Sequence, residues 1–243
     1  MKATSIRSDL RVLGRLLRGA ARAGSEVERL TDFYAAQADG YDRFRDRLLH
    51  GRRELMHFLA PAASSRLVEL GAGTGRNLDY LGPRLGALGS VTLVDLCPPL
   101  LDVARRRCAG CSNVRIVEDD AARFRPELPV DSVYFAYALS MIGKWRAAID
   151  NAFTMLRPGG TIGSVDFFVS APAPHPNRAR HAWSTRAFWP RWFAHDGVRL
   201  SPEPLDYLLS RFEIVHLAER RGSVPYMLGL TVPYYVFVGR KRG

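Results

Sequence analysis

Three glycines at alternate positions, 71, 73 and 75, follow an acid in the run Glu69-Leu-Gly-Ala-Gly-Thr-Gly75. Without a Cβ, such residues let the chain turn sharply after a strand and approach a ligand closely. Dinucleotide enzymes use G-x-G-x-x-G, whose third glycine allows close helix packing. Here that position is Arg76, so the spacing is E-x-G-x-G-x-G and a pyrophosphate turn is disfavoured. Asp95 stands 20 residues after Gly75, closing the next apolar run. A carboxylate there can accept both hydroxyls of a ribose, and taken alone it suits a nicotinamide cofactor equally well. Asp120-Ala121 closes a third run, with Asp119 as the alternative one residue earlier. Any one of these acids could simply cap a strand end. The ordered set Glu69, Gly71, Asp95 and Asp120 at successive strand ends points instead to a ligand site.

Positioning those residues requires strands alternating with helices. From Arg66 onward the apolar runs and helical stretches do alternate, the pattern of a parallel sheet with crossover helices. Strands are predicted at 66–70, 91–95, 114–117, 132–137, 161–168, 212–217 and 234–238, and helices at 76–85, 100–107 and 145–156. Arg157-Pro-Gly-Gly160 ends the last of these helices. The fold class is therefore α/β, a Rossmann-like, doubly wound, seven-stranded, mostly parallel sheet. N-terminal helices precede it, near 28–38 and 43–59. Between strands five and six lies an insertion, residues 170–206, rich in Pro, Arg, His and aromatic residues. A segment that long is usually functional or disordered, and so many large aromatics argue for order over the active-site edge.

The Glu69–Gly75 run resembles motif I of class I S-adenosylmethionine-dependent methyltransferases. The resemblance implies that Glu69 indirectly orients the cofactor's methionine amino group. It also implies that Gly71, Ala72, Gly73 and Gly75 form the turn, Asp95 with Leu96 holds the ribose, and Asp120 with Ala121 holds the adenine. The segment Tyr134-Phe-Ala-Tyr-Ala-Leu-Ser-Met-Ile-Gly-Lys-Trp145 ends strand four, beyond which ligands sit in such sheets. A closer likeness follows from Tyr41-Asp-Arg-Phe-Arg-Asp-Arg-Leu-Leu-His-Gly-Arg52, Tyr137-Ala-Leu-Ser-Met-Ile142 with Trp145, Gly163-Ser-Val-Asp-Phe-Phe168 and Phe188-Trp-Pro-Arg-Trp-Phe193. With Val224-Pro-Tyr226 and Val232-Pro-Tyr-Tyr235, these look like the diacylglycerylhomoserine N-methyltransferases of betaine-lipid synthesis. The likeness runs from about residue 33 to the end. It implies successive methylation of a homoserine amine and a lipid headgroup as substrate. It also raises the prospect of a partner enzyme that forms the homoserine lipid. Phosphatidylethanolamine N-methylation and lipid-quinone C-methylation would share every cofactor residue.

Methyl transfer from a sulfonium needs positioning more than functional groups. The amine must lose a proton, for which His50, His181 and His195 are candidates. Aromatic faces can hold the growing ammonium, which nominates Tyr41, Tyr137 and Trp145, with Tyr137 also beside the cofactor. Arg45 or Arg52 could grip the homoserine carboxylate as a fork. No metal is expected: Cys108 and Cys111 form a C-x-x-C pair without a second pair of ligands.

The chain of 243 residues has a net charge of +11, with 32 arginines against 3 lysines. Such a charge suits nucleic acid, anionic lipid or an acidic substrate alike. Asn/Asp-Pro-Pro-aromatic and Pro-Cys motifs of base methylases are absent, so no nucleic-acid partner is expected. Residues 1–24 form a basic amphipathic leader helix, with Arg7, Arg11, Arg15, Arg18 and Arg22 on one stripe. Residues 25–243 are read as one catalytic domain, in which 170–206 is a lipid-substrate cap. Arg178, Arg180, Arg186 and Arg191 interleave with Trp183, Trp189 and Trp192 there, a combination that sits at headgroup depth. No apolar run reaches eighteen residues. The expected location is cytoplasmic, peripheral on an anionic inner-membrane surface.

Overall fold

The computed structural model describes residues 46–195, 197–225, 227 and 229–242. The predicted leader helix and the aromatic and cationic candidates Tyr41 and Arg45 lie outside the described residues.

Helix α1 (Arg52–Leu59) buries Leu55, Met56 and Leu59 against the sheet. It stops at Ala60, whose N–H donates to the Met56 carbonyl, and Pro61 follows. Strands β1 (Arg66–Leu70), β2 (Ser90–Asp95), β3 (Val114–Glu118), β4 (Val130–Ala136) and β5 (Leu156–Phe167) come next. Between them run helices α2 (Pro98–Arg107) and α3 (Trp145–Met155). After β5 come α4 (Trp183–Ala194) and α5 (Glu203–Arg211), then β6 (Glu213–Ser223) and β7 (Thr231–Arg240).

The strand order is β3-β2-β1-β4-β5-β7-β6, with the first five mutually parallel and β7 antiparallel to both neighbours. This is the seven-stranded, mostly parallel, doubly wound sheet expected. The order reverses between β1 and β4, which opens a crevice at their carboxyl ends. Along β4, Val133 and Phe135 pack on the face covered by α3 and α5, while Tyr134 and Ala136 pack on the α1 face. Two covered faces explain why the central strands read as continuous apolar runs rather than alternating ones.

Several elements differ from expectation, among them 157–160, read as a helix stop before a strand at 161 and found within β5. The helix predicted at 76–85 is two short 3-10 turns, Arg76–Tyr80 and Gly82–Ala87, divided at Gly82 with Pro83 after it. Strands β6 and β7 are longer than their apolar cores, because they zip as a ribbon out to Ser223↔Thr231. The charged residues Glu219, Arg220 and Arg221 hide that extension in the sequence. Within 170–206 the chain is ordered, as expected: α4 fills its centre and α5 begins before its end.

Candidate active site

The crevice at the switch point is a cavity of about 190 Å³, open to solvent. Its floor is the turn after β1. Gly71 and Ala72 donate their N–H groups to the Val94 carbonyl at 2.8 and 3.0 Å, which locks the turn onto β2. Gly71 has φ +77°, and a Cβ there would lie 2.5 Å from the Cβ of Ala138. Gly75 also has positive φ, and its Cβ would press on Leu93 at 2.9 Å. Both contacts require glycine, but for different partners: Gly71 lines the cleft, whereas Gly75 lies behind it against the sheet.

Asp95 ends β2 in the cleft wall. Its carboxylate accepts N–H bonds from Gly73 at 2.7 Å and from Cys97 at 2.9 Å. Those two donors fix the orientation of a group whose oxygens can each accept more than one bond. Leu96, Asp119, Asp120 and Ala121 continue the wall. Asp120 caps its own turn through the Ala122 N–H at 2.8 Å, while Asp119 holds the Asp120 N–H at 2.7 Å. Both acids reach the cleft, so the one-residue ambiguity in the sequence persists as two adjacent carboxylates.

Glu69 is placed differently from its neighbours in the motif. It is fully buried and does not line the cleft. Asn77 Nδ2 donates to one carboxylate oxygen and Tyr134 Oη to the other, both at 2.6 Å. Burial pushes its pKa up to about 7, against the lowering effect of those two hydrogen bonds. Glu69 therefore acts through Asn77, which does face the cleft. Asn77 was invisible to motif reasoning, because its only signal is its place one turn beyond the loop.

On the opposite side the chain leaves β4 through Tyr137, a non-glycine residue with φ +56°. Left-handed backbone at such a residue is sparsely populated and gathers at functional sites. The Tyr137 N–H is held by the Val165 carbonyl, and its hydroxyl donates to the His50 carbonyl at 2.7 Å. Ala138, Met141, Ile142, Gly143 and Lys144 complete this wall. Beneath it, the buried carboxylate of Asp166 accepts from the Ser140 N–H at 2.9 Å and from its hydroxyl at 2.7 Å. Burial raises the Asp166 pKa to about 6 despite those bonds. The Arg199 N–H donates to the Ser140 carbonyl, which ties the insertion to the same turn.

Several sequence candidates do not meet in the cleft. Trp145 opens α3 and turns outward, its ring 5.9 Å from Tyr207 and under the Arg146 guanidinium, so it does not line the cavity. Arg52 does line the cavity, but its fork is occupied. It donates to Asp46 at 2.8 Å, to the Leu49 carbonyl at 3.1 Å and to Asn77 Oδ1 at 3.4 Å. Asp46, which sequence reasoning missed, also accepts from Arg76 at 2.8 Å. Burial works against its charge, yet the two arginines hold its carboxyl below the usual range. None of the three histidines lines the cleft. His50 contacts the Ser223 carbonyl at 3.0 Å, and His195 follows α4. The buried His181 accepts the Ser170 N–H, and burial with two nearby arginines takes its pKa down to about 4.

A glycine cradle with no room for a Cβ beside Ala138 and a backbone-oriented carboxylate at the next strand end fit S-adenosylmethionine. Comparison with known proteins agrees. Residues 67–160 match the family model of a methyltransferase domain. Demethylmenaquinone methyltransferase of Clavibacter sepedonicus is 31% identical over 148 residues, which cover 56% of this chain and 57% of that protein. The enzyme of the same name from Tropheryma whipplei (strain Twist) is 26% identical, over 64% of this chain and 63% of its own length. The chain thus spans less than two thirds of these relatives. Among solved structures, N-methyltransferase NodS from Bradyrhizobium japonicum, in complex with S-adenosyl-L-homocysteine, superposes with a TM-score of 0.67. It is 20% identical and the match covers 90% of this chain and all of that one, a likeness of fold alone. The cyclase SpnF matches nearly as well, with a TM-score of 0.64 at 15% identity, so fold by itself does not choose a reaction. Matched segment, strand order and cradle agree on one fold, the Rossmann-like fold of S-adenosylmethionine-dependent methyltransferases.

Proposed function

We propose that the protein transfers the methyl group of S-adenosylmethionine to the polar head of an apolar-tailed, membrane-resident acceptor. One observation carries this reading: the cleft is two-sided. Carboxylates Asp95, Asp119 and Asp120 line the side suited to a ribose and an adenine, and Tyr137, Met141 and Ile142 line the other. Tyr137 stacks edge-on upon Phe167 at 4.6 Å, so the acceptor wall is continuous with buried aromatic side chains. An acceptor with an apolar body fits that wall better than a sugar, a peptide or a base in a duplex.

Among such acceptors, a demethylated quinone is the first reading, since the curated relatives are named for demethylmenaquinone and for ubiquinone/menaquinone C-methylation. The ring carbon would attack the sulfonium methyl in line, and the proton it displaces would leave to an acidic residue or water. No histidine of the described residues lines the cavity to take it. The second reading is successive N-methylation of the diacylglycerylhomoserine amine, favoured by the Tyr137–Ile142 run at the cavity itself. There the Tyr137 ring would face the growing ammonium.

Incubation of the full chain with methyl-labelled cofactor divides these readings, with demethylmenaquinone and diacylglycerylhomoserine presented in separate detergent micelles. Label in the quinone alone supports the first reading. Label in the homoserine lipid alone replaces it with the second. Label in neither lipid, with cofactor still bound, overturns the acceptor class.

A further inference from the structure

The aromatic residues of the insertion divide into two sets. Trp189 and Phe193, four residues apart on α4, are buried in the core. Trp183 at the start of the same helix is 76% exposed and Phe188 is 43% exposed. Exposing such rings has a cost, and clustering on one element marks an interaction surface rather than scatter.

The buried set connects the exposed set to the cleft. Tyr137 contacts Phe167 at 4.6 Å, Phe167 contacts Phe193 at 4.9 Å, and Phe193 contacts Trp189 at 5.7 Å between ring centres. Trp189 then meets Phe188 at 4.9 Å, and Phe188 meets Trp192 at 5.6 Å. Six rings thus run without a gap from the acceptor wall to the exposed flank of α4.

Charge surrounds this exit with one sign. From 167 to 202 the sequence holds five arginines, 178, 180, 186, 191 and 199, against the single acid Asp196. Arg178 is neutralised by Asp206 and Glu219. Arg180 and Arg191 are exposed, and the buried Nε of Arg186 has no hydrogen-bond partner among the described residues. Helix α4 itself carries no acid. Exposed tryptophan beside unopposed arginine matches the interface of an anionic bilayer, where the ring sits at headgroup depth and each guanidinium meets a phosphate. A protein partner offers acids but not an apolar layer of that depth.

We propose that α4 is an interfacial helix, seated on an anionic lipid surface through Trp183, Phe188, Arg180, Arg186 and Arg191. Seated there, it places the aromatic row as the wall along which the apolar body of an acceptor reaches the cleft. The docking half of this proposal stands on exposure and charge, and the delivery half rests on the acceptor class proposed above.

The test is co-sedimentation of the full chain with phosphatidylcholine vesicles, with and without phosphatidylglycerol. The wild type should pellet with the anionic vesicles and lose binding as salt rises. Trp183→Ser with Phe188→Ser should weaken that binding at least tenfold, as should Arg180→Gln with Arg191→Gln, both without change in melting temperature. All four residues are exposed, so these variants should fold. Brominated lipid should quench wild-type tryptophan emission, and Trp183→Phe should lose part of that quenching. Binding by the Trp183/Phe188 variant within twofold of wild type overturns the proposal. Tighter wild-type binding to duplex RNA than to the vesicles also overturns it, in favour of a nucleic-acid surface. Vesicle binding needs no turnover, so failure of the acceptor reading would show in the labelling assay while docking is still judged here.

Discussion

The two walls of the cleft are built by different means. On the β1–β2–β3 side, the bonds that shape the wall join residues close in sequence. Gly73 and Asp95 are 22 apart, and Cys97 and Asp95 only two. On the β4–β5 side Ser140 and Asp166 are 26 apart, but the wall is also tied to distant segments: Tyr137 to His50 across 87 residues, and His50 to Ser223 across 173. A wall made by a short loop and its next strand is specified locally by glycines and one acid. A wall made by far-apart segments can change its shape whenever any one segment changes. The contrast shows how one cofactor site can serve many acceptors.

The harshest test of this contrast is Gly71→Ala. The new methyl would meet Ala138 at 2.5 Å in a left-handed backbone, and left-handed geometry alone costs an L-residue about 1–2 kcal/mol. Cofactor affinity by calorimetry should fall about a hundredfold or more, roughly 2.8 kcal/mol. An unchanged Kd would mean that the turn does not hold the ligand. Next in size is Asp95→Asn, which keeps shape but gives up the charge. Losing a hydrogen bond to a charged group costs about 1.5–3 kcal/mol, so affinity should drop at least tenfold with acceptor KM little moved. Equal losses in both quantities would erase the distinction between the walls.

Tyr137→Phe probes the other side. It removes the bond to the His50 carbonyl, worth about 1 kcal/mol, while keeping the ring. Acceptor kcat/KM should fall about fivefold and cofactor Kd should stay within twofold. A cofactor effect larger than the acceptor effect would place Tyr137 on the wrong wall.

The smallest effect concerns Glu69, which sits between the walls. Its pKa is raised from 4.5 to about 7 by burial, so the folded protein binds more protons than the unfolded chain between those values. Its contribution to stability is therefore complete below about pH 4.5 and is lost as pH rises through about 7. Glu69→Gln removes the ionisation. Between about pH 6 and 7 the melting temperature of the wild type should decline relative to the variant by roughly 3 °C, about 1 kcal/mol for a domain of this size. Parallel curves across that range would show that Glu69 does not titrate there.

What could be read beforehand followed the same division. The strands around the glycine loop were legible because strands covered on both faces must be apolar throughout, and because acids at their ends interrupt that pattern. The ribbon of β6 and β7 was legible only at its apolar centre, since its outer residues pair through backbone bonds that leave side chains free to be charged. The 3-10 turns at 76–87 were missed because apolar spacing there mimics a helix, while Gly82 and Pro83 divide it.

The sequence by itself determined the class of fold, the alternation of strands and helices and the glycine turn after the first strand. Each of these depends on backbone freedom and on residues near one another in the chain. Tertiary structure alone decided the standing of individual side chains. It turned Trp145 towards Tyr207, filled the fork of Arg52 with Asp46 and Asn77, and sealed Glu69 behind Asn77 and Tyr134. It also separated the buried Trp189 from the exposed Trp183 within one helix. The physical reason is that desolvation and hydrogen-bond occupancy are set by neighbours in space, and those neighbours come from segments that sequence spacing does not bring together.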